Sequence, residues 1–326
     1  MRYYIAQRLF WSVVIVFGIV VVNFVLTRIV PGDPTTALVG EFPVPQAYID
    51  QIRHDFGLDQ SIPAQLYYYL VHVAQGDLGF SFVGRQNVLP LILRRAGVTL
   101  ILMLPSLTLA SIIGVLIAVR AARRAGSSLN TFLTALSLAG ASVPVFWLAQ
   151  MLVMLFAVRL GWLPAQGMVS VRANYTGLAY FLDLLRHLIL PSFCITIFYL
   201  AIVVRVARTS MLEMLHQDFV LTARAKGLSE NQVVVRHVLR NALIPVITVI
   251  GYNFGYSLTG AILTETVFAW PGIGGLFVSS IHYQDFPVLS GIFLLAATAV
   301  VAANFITDIL YAVVDPRVRV ATLKPA

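Results

Sequence analysis

Six stretches of this chain carry no charged side chain and are apolar almost throughout: residues 9–27, 98–119, 131–158, 188–204, 242–264 and 288–307. A helix needs about 20 such residues to cross the ~30 Å hydrocarbon core of a bilayer. No water is available there to satisfy free backbone groups, so continuous runs of this length can only be helices. A membrane β-barrel would instead show alternating segments of about ten residues. Composition agrees: 59% of residues are hydrophobic and 11% charged, against roughly 25% charged in a soluble domain. With a mean hydropathy of +0.86, the chain cannot hide its apolar surface by folding alone. The expectation is an all-α integral membrane protein with six transmembrane helices.

The first run follows Arg2 and Arg8 and could imitate a secretory signal. Signals carry a shorter apolar stretch, about 7–15 residues, and a small-residue cleavage site. Here the run leads into Pro31-Gly32-Asp33-Pro34, so a retained helix is expected. The single cysteine, Cys194, lies inside the fourth run. It can form no internal disulfide or Cys-based metal site and reads as a small packing residue.

Charge sets the orientation. If the N-terminus is cytoplasmic and six spans alternate, the inner segments hold 14 of the 22 Lys and Arg residues. The outer segments hold the other 8. The positive-inside rule then puts both termini in the cytoplasm. The net charge of +8 reads as topology and contact with anionic lipid. No nucleic-acid-binding module is visible, and no nucleic-acid partner is expected.

The chain divides into an N-terminal segment with the first span (1–30), a polar outer cap (31–97) and a core (98–326) with a cytoplasmic loop at 205–241. The cap contains turn-rich Gly57-Leu58-Asp59 and Gly76-Asp77-Leu78-Gly79. It also contains a helix expected after Ser61, with Pro63 in its first turn. Tyr67, Tyr68 and Tyr69 suit a membrane–water interface. In the third span, Pro144 among small residues predicts a kink.

The loop at 205–241 is the most informative part. Asp218 can cap a helix over residues 219–226, with Arg224 and Lys226 in the last turn where cations suit the dipole. Gly227 follows where a left-handed residue is wanted. Ser229-Glu230-Asn231-Gln232 matches a capping box, opening a second helix that runs toward Pro245. A short rigid helix of this kind can fit a groove in another subunit: Ala223 and Ala225 permit close approach, and Arg224 and Lys226 can meet acidic groups. A solvated connector has the same grammar.

Thr222-Ala223-Arg224-Ala225-Lys226-Gly227-Leu228 followed by Arg240-Asn241-Ala242-Leu243-Ile244-Pro245 resembles the coupling loop of bacterial ABC-importer permeases of the dipeptide/oligopeptide/nickel family. Gly161-Trp162-Leu163-Pro164, Glu265 with Phe268, Pro271-Gly272-Ile273-Gly274, Asp315-Pro316-Arg317 and the cap motifs extend the likeness over nearly the whole chain. The resemblance implies the type I ABC importer permease fold in a bacterial inner membrane. It implies a second homologous permease, two cytoplasmic ABC ATPase subunits holding ATP and Mg²⁺, and an extracytoplasmic solute-binding protein. The cargo would be peptides or related small solutes, and this chain would bind no cofactor and hydrolyse nothing. Ala223, Arg224, Ala225, Lys226 and Gly227 would be the ATPase-coupling residues. Leu221 and Thr222 stand where the general importer loop begins Glu-Ala, so no contact can depend on that glutamate.

No catalytic or metal constellation is visible. The six histidines are scattered and read as surface or interfacial residues. Pro271-Gly272-Ile273-Gly274-Gly275 lacks a phosphate-loop lysine and reads as an outer turn. Asp308, one turn after Asn304, is expected to pair with an inner arginine. In span five, Asn253 and Ser257 share a helical face that, with Tyr256, suits a wet translocation path; interhelical hydrogen bonding is the other reading. Gly251 and Gly255 form a small-xxx-small pair. A self-sufficient secondary transporter or a channel is the alternative function. The first would carry an inverted repeat and intramembrane charges, the second a filter.

Overall fold

The computed structural model of the chain describes residues 2–29, 60–123 apart from 82, 142–257 and 261–314, with a few single positions between 128 and 140. Five helices are long and apolar enough to cross a membrane: Tyr3–Ile29, Val88–Arg123, Gly177–Leu215, Glu230–Tyr256 and Phe286–Tyr311. They match five of the six apolar runs. The elements are α1 (Arg2–Ile29), α2 (Ile62–Ala74), β1 (Phe80–Ser81), β2 (Gln86–Asn87), α3 (Val88–Arg123) and α4 (Val145–Leu152). Then come α5 (Gly177–Leu215), α6 (Asp218–Ala225), α7 (Glu230–Gln232), α8 (Leu239–Tyr256), α9 (Ile262–Val267), α10 (Ile273–His282) and α11 (Phe286–Val314). Wide π-type turns continue α4 over Val153–Arg159 and join α7 to α8 over Val233–Val238.

The sixth run is represented by the apolar helix Val145–Arg159. Most of its first part, 131–141, lies outside the described residues, as do 31–59 of the cap and 315–326 of the C-terminus. Pro144 does not kink a helix. It is extended (φ −60°, ψ 127°) and caps the start of α4, where a missing N–H costs nothing. The interior prolines are Pro105, Pro191 and Pro245, in α3, α5 and α8. The fifth run also splits: α8 ends at Tyr256 and α9 begins at Ile262.

Alternating helix direction brings the start of α1, the ends of α3 and α5 and the start of α8 to one end, rich in arginine. A cluster of buried apolar side chains joins them there, including Ala118, Ala122, Val203, Ala207, Met211, Val238 and Ala242. Helices α3 and α5 pack along each other, closest at Gly114, where a Cβ would sit 2.7 Å from Val203 Cγ1. Helix α8 packs on α11 through Gly251 and Gly255. A Cβ on Gly255 would lie 2.7 Å from that of Ala303, and one on Gly251 would collide with Thr307 Oγ1. The small-xxx-small pair therefore does serve close packing.

Polar ties fix α1. The Arg8 guanidinium lies 3.0 Å from Asp308 of α11, as the sequence predicted. The Asn23 amide donates to Tyr69 Oη at 2.9 Å and Ser290 Oγ at 2.6 Å, joining α1 to α2 and α11. Tyr69 thus packs inside, against Phe24, while Tyr67 and Tyr68 stay exposed. At this opposite end the hairpin β1–β2 is anchored by Ser81, which donates to Asp285 at 2.5 Å.

Overpacking a tight contact costs about 1–3 kcal/mol. Gly114→Leu and Gly255→Leu should lower the unfolding temperature of the detergent-solubilised chain. Gly18→Leu, where a Cβ meets nothing within 4 Å, should leave it near the parent value.

Candidate functional site

Two residues, His216 and Gln217, separate α5 from α6. So short a link starts the helix one residue before the sequence-predicted position: Gln217 occupies the N-cap and Asp218 lies in the first turn, with no side-chain cap bond. Asp218 keeps the favourable sign for the helix dipole there. The far end forms a complete Schellman motif. Gly227 N–H donates to Arg224 O at 2.9 Å and Leu228 N–H to Ala223 O at 3.4 Å, with Gly227 left-handed at φ 77°. The capping box forms as read: Gln232 N–H donates to Ser229 Oγ at 3.4 Å, and Ser229 N–H to Gln232 Oε1 at 3.1 Å.

The elbow is tied from both sides. Val220 and Ala223, three apart, are buried in the apolar cluster that joins α3, α5 and α8. Ala223 is therefore a packing residue within this chain, whereas Ala225 is exposed. Arg224 reaches across Gly227 to Glu230, with Nη2 at 2.5 Å from Oε1 and Nε at 3.3 Å from Oε2. The hydrogen bonds from this carboxylate raise the arginine's pKa above its ordinary value. Leu221 points the other way and is 62% exposed. Phe219, Thr222, Ala225 and Lys226 are exposed beside it. An apolar side chain held out from a water-exposed helix by a buried opposite face is a contact surface.

Helix α8 presents three rows of residues four apart. Gly251 and Gly255 face α11. Asn253 and Ser257 turn inward and are buried, Ser257 donating to Phe254 O at 2.6 Å. Tyr252 and Tyr256 point outward, half exposed, with ring centroids 5.3 Å apart. Of the three residues expected to line a path, only Tyr256 faces out. Glycine contacts with α11 fix the rotation of α8 and so turn the other two into the protein. The outward row borders a groove of about 1020 Å³ whose floor is α11 and whose walls are α1 and α8.

At the end away from the elbow, Glu265 is wholly buried. It accepts from Thr99 Oγ1 at 2.7 Å and from Gly274 N–H at 2.7 Å, with Gly275 N–H at 3.3 Å. Thr99 Oγ1 accepts from Ile273 N–H at 2.8 Å. A carboxylate and a hydroxyl thus serve the free N–H groups that open α10. A Cβ on Gly272 would lie 2.5 Å from Glu265 Oε1. Arg95 donates to Pro271 O at 2.9 Å, and Trp270 Nε1 to Val98 O at 3.0 Å. The glycine-rich turn is a clasp binding α9 and α10 to α3.

Residues 110–320 match the family of binding-protein-dependent transport system inner membrane components, and residues 1–103 match its N-terminal companion. This chain belongs to that family. It is 42% identical to the di/tripeptide transport system permease protein of Pseudomonas aeruginosa (strain UCBPP-PA14), over 97% of this chain and 98% of that one. It is 38% identical to an oligopeptide transport system permease protein of Bacillus subtilis, over 98% and 99% of the two chains. It is 37% identical to a dipeptide transport system permease protein of Escherichia coli (strain K12), over 98% and 99%. The chain is thus an all-α, multi-pass inner-membrane permease of an ABC importer, working with other transporter subunits.

Sequence reasoning missed two features of the permease. The exposure of Leu221 follows from the burial of Val220 and Ala223, which needs a partner surface no local pattern reveals. The clasp had a signal: Glu265 lies just beyond an apolar run, where a charge is costly unless bonded. His187 was expected near the surface but is buried beside Asp183, whose carboxylate accepts from Ser170 N–H at 2.6 Å. Among the described residues no three His, Cys, Asp or Glu side chains could hold a metal ion.

Leaving a buried polar group unpaired costs about 1–3 kcal/mol. Glu265→Ala strands Gly274 N–H and the Thr99 hydroxyl together. It should lower the unfolding temperature in detergent clearly more than Glu265→Gln, which keeps one acceptor.

Proposed function

We propose that this permease, with a homologous second permease, forms the path by which peptides or related small solutes cross the inner membrane. ATP hydrolysis in two separate cytoplasmic subunits drives the passage. The observation that carries this reading is α6: a short helix whose outward face is exposed and whose inward face is locked into the bundle. Its end of the bundle carries the excess of Lys and Arg, which the positive-inside rule assigns to the cytoplasm. ATP and Mg²⁺ belong to the ATPase subunits, and this chain holds neither.

Leu221 and Phe219 supply apolar contact to an ATPase groove, Ala225 allows close approach and Lys226 offers charge. Arg224 and Gly227 set the angle of the elbow, and Ala223 anchors it. When the ATPase pair closes on ATP, α6 is dragged along, and Val220 and Ala223 pull on α3, α5 and α8. The bundles rock, the outer mouth opens, and a solute-binding protein outside releases its cargo. Hydrolysis restores the inward-facing state. Residues 31–97 lie over the outer mouth as a cap. Tyr256, the outward-facing path candidate, meets the cargo, while Asn253 and Ser257 hold α8 in register. The peptide class rests on the names of the relatives and on their near-complete coverage of this chain.

Leu221→Asp and Ala225→Trp, made in the complete transporter in proteoliposomes, should each lower uptake and substrate-stimulated ATP hydrolysis at least tenfold. The chain should still insert. Normal uptake by both variants would sink the assignment of α6.

A further inference from the structure

The groove between α1 and α8 is the least expected surface of the permease. Its floor, α11, contributes lining residues from Ile292 to Tyr311. At 1.5 Å per residue that is about 29 Å, close to the thickness of the hydrocarbon core. The groove therefore runs from one face of the membrane to the other.

Its chemistry does not suit acyl chains. The Asn304 amide is exposed on the floor, at the depth of the last span. Tyr252 adds an outward hydroxyl on the wall. Hydrocarbon offers no hydrogen bond to either, and an unpaired amide there costs several kcal/mol, roughly 2–7. At the inner end, the Arg8 guanidinium engages Asp308 through one nitrogen only and its side chain is 47% exposed. That leaves donors turned toward the groove for an acceptor from outside. Between these polar points the floor carries small residues, Ala296 and Ala297, followed by Val300 and Val301. Small side chains let a second helix approach closely, whereas nothing about lipid requires them.

Taken with the proposed assembly, on which this inference rests, we infer that the groove is the seat of the second permease. One of its transmembrane helices lies along α11 between α1 and α8. It brings hydrogen-bonding groups level with Asn304 and an acceptor level with Arg8. Helix α1 then holds the neighbour as an outer arm. Tyr252 and Tyr256 come to the line where the two chains meet, which places the path at that seam.

The test uses the complete transporter, purified in mild detergent through a tag on this chain, with the second permease identified by mass as a member of the same family. Ala297→Trp fills the floor and Asn304→Leu removes the amide. Each should reduce the co-purified second permease at least tenfold. Ile112→Trp, on an exposed part of α3 outside the groove, should not. A photoreactive benzophenone amino acid in place of Val301, irradiated in the membrane, should give an adduct whose mass is the sum of the two permeases. It reports even if a bulky variant fails to insert. If the parent chain brings down no second permease, the proposed function itself fails. If parent and groove variants bring it down equally, or the probe at Val301 captures only lipid, the assembly stands and the seat assigned here is overturned.

Discussion

The permease depends on one apolar cluster at its arginine-rich end. Val220 and Ala223 of the elbow, Ala118 and Ala122 of α3, Val203, Ala207 and Met211 of α5, and Val238, Ala242 and Val246 of α8 share it. Fully burying one valine is worth about 1.5–3 kcal/mol. The exposed Arg224–Glu230 pair, by comparison, belongs to a class worth about 0–1 kcal/mol. The elbow is therefore held by packing, and the ion pair only trims its angle. A close-packed core transmits displacement because it has no slack. A push on α6 must reach three long helices together.

The opposite end is built differently. Inside hydrocarbon, contacts between helices gain little from hydrophobicity, and small residues with a few polar ties take over. Gly114 against Val203 and Gly255 against Ala303 bring backbones close. Asn23, Ser81 and Glu265 then join segments far apart in the chain through hydrogen bonds with buried partners. The glycines and the polar ties serve one purpose. They exclude alternative registers between helices whose surfaces are otherwise uniformly greasy.

Much of this could be read from the sequence, because the bilayer imposes a length and a polarity that a chain cannot disguise. Five long helices fell on five apolar runs. The elbow was legible from Gly227 and Ser229, whose roles are local and depend on backbone conformation. The pairing of Asp308 with Arg8 followed from the cost of a lone charge. What was not legible is rotation. A run such as 242–264 is apolar on every side, so nothing local says that Tyr256 faces out while Asn253 and Ser257 face in. Glycine contacts with α11 decide that. Pro144 misled for a related reason: proline disrupts a helix interior but is harmless at its start, and only the backbone path tells which applies. The Glu265 clasp needed Thr99, a residue 166 positions away, to become visible.

The π-type segment between α7 and α8 closes wider rings than an α-helix and so carries one surplus residue. Each residue of an α-helix turns by about 100°. Ironing out that surplus would spin the whole of α8 by roughly that angle relative to the elbow. A different one of its three rows would then confront α11. The helix works like a dial whose setting is stored in six residues just below the membrane.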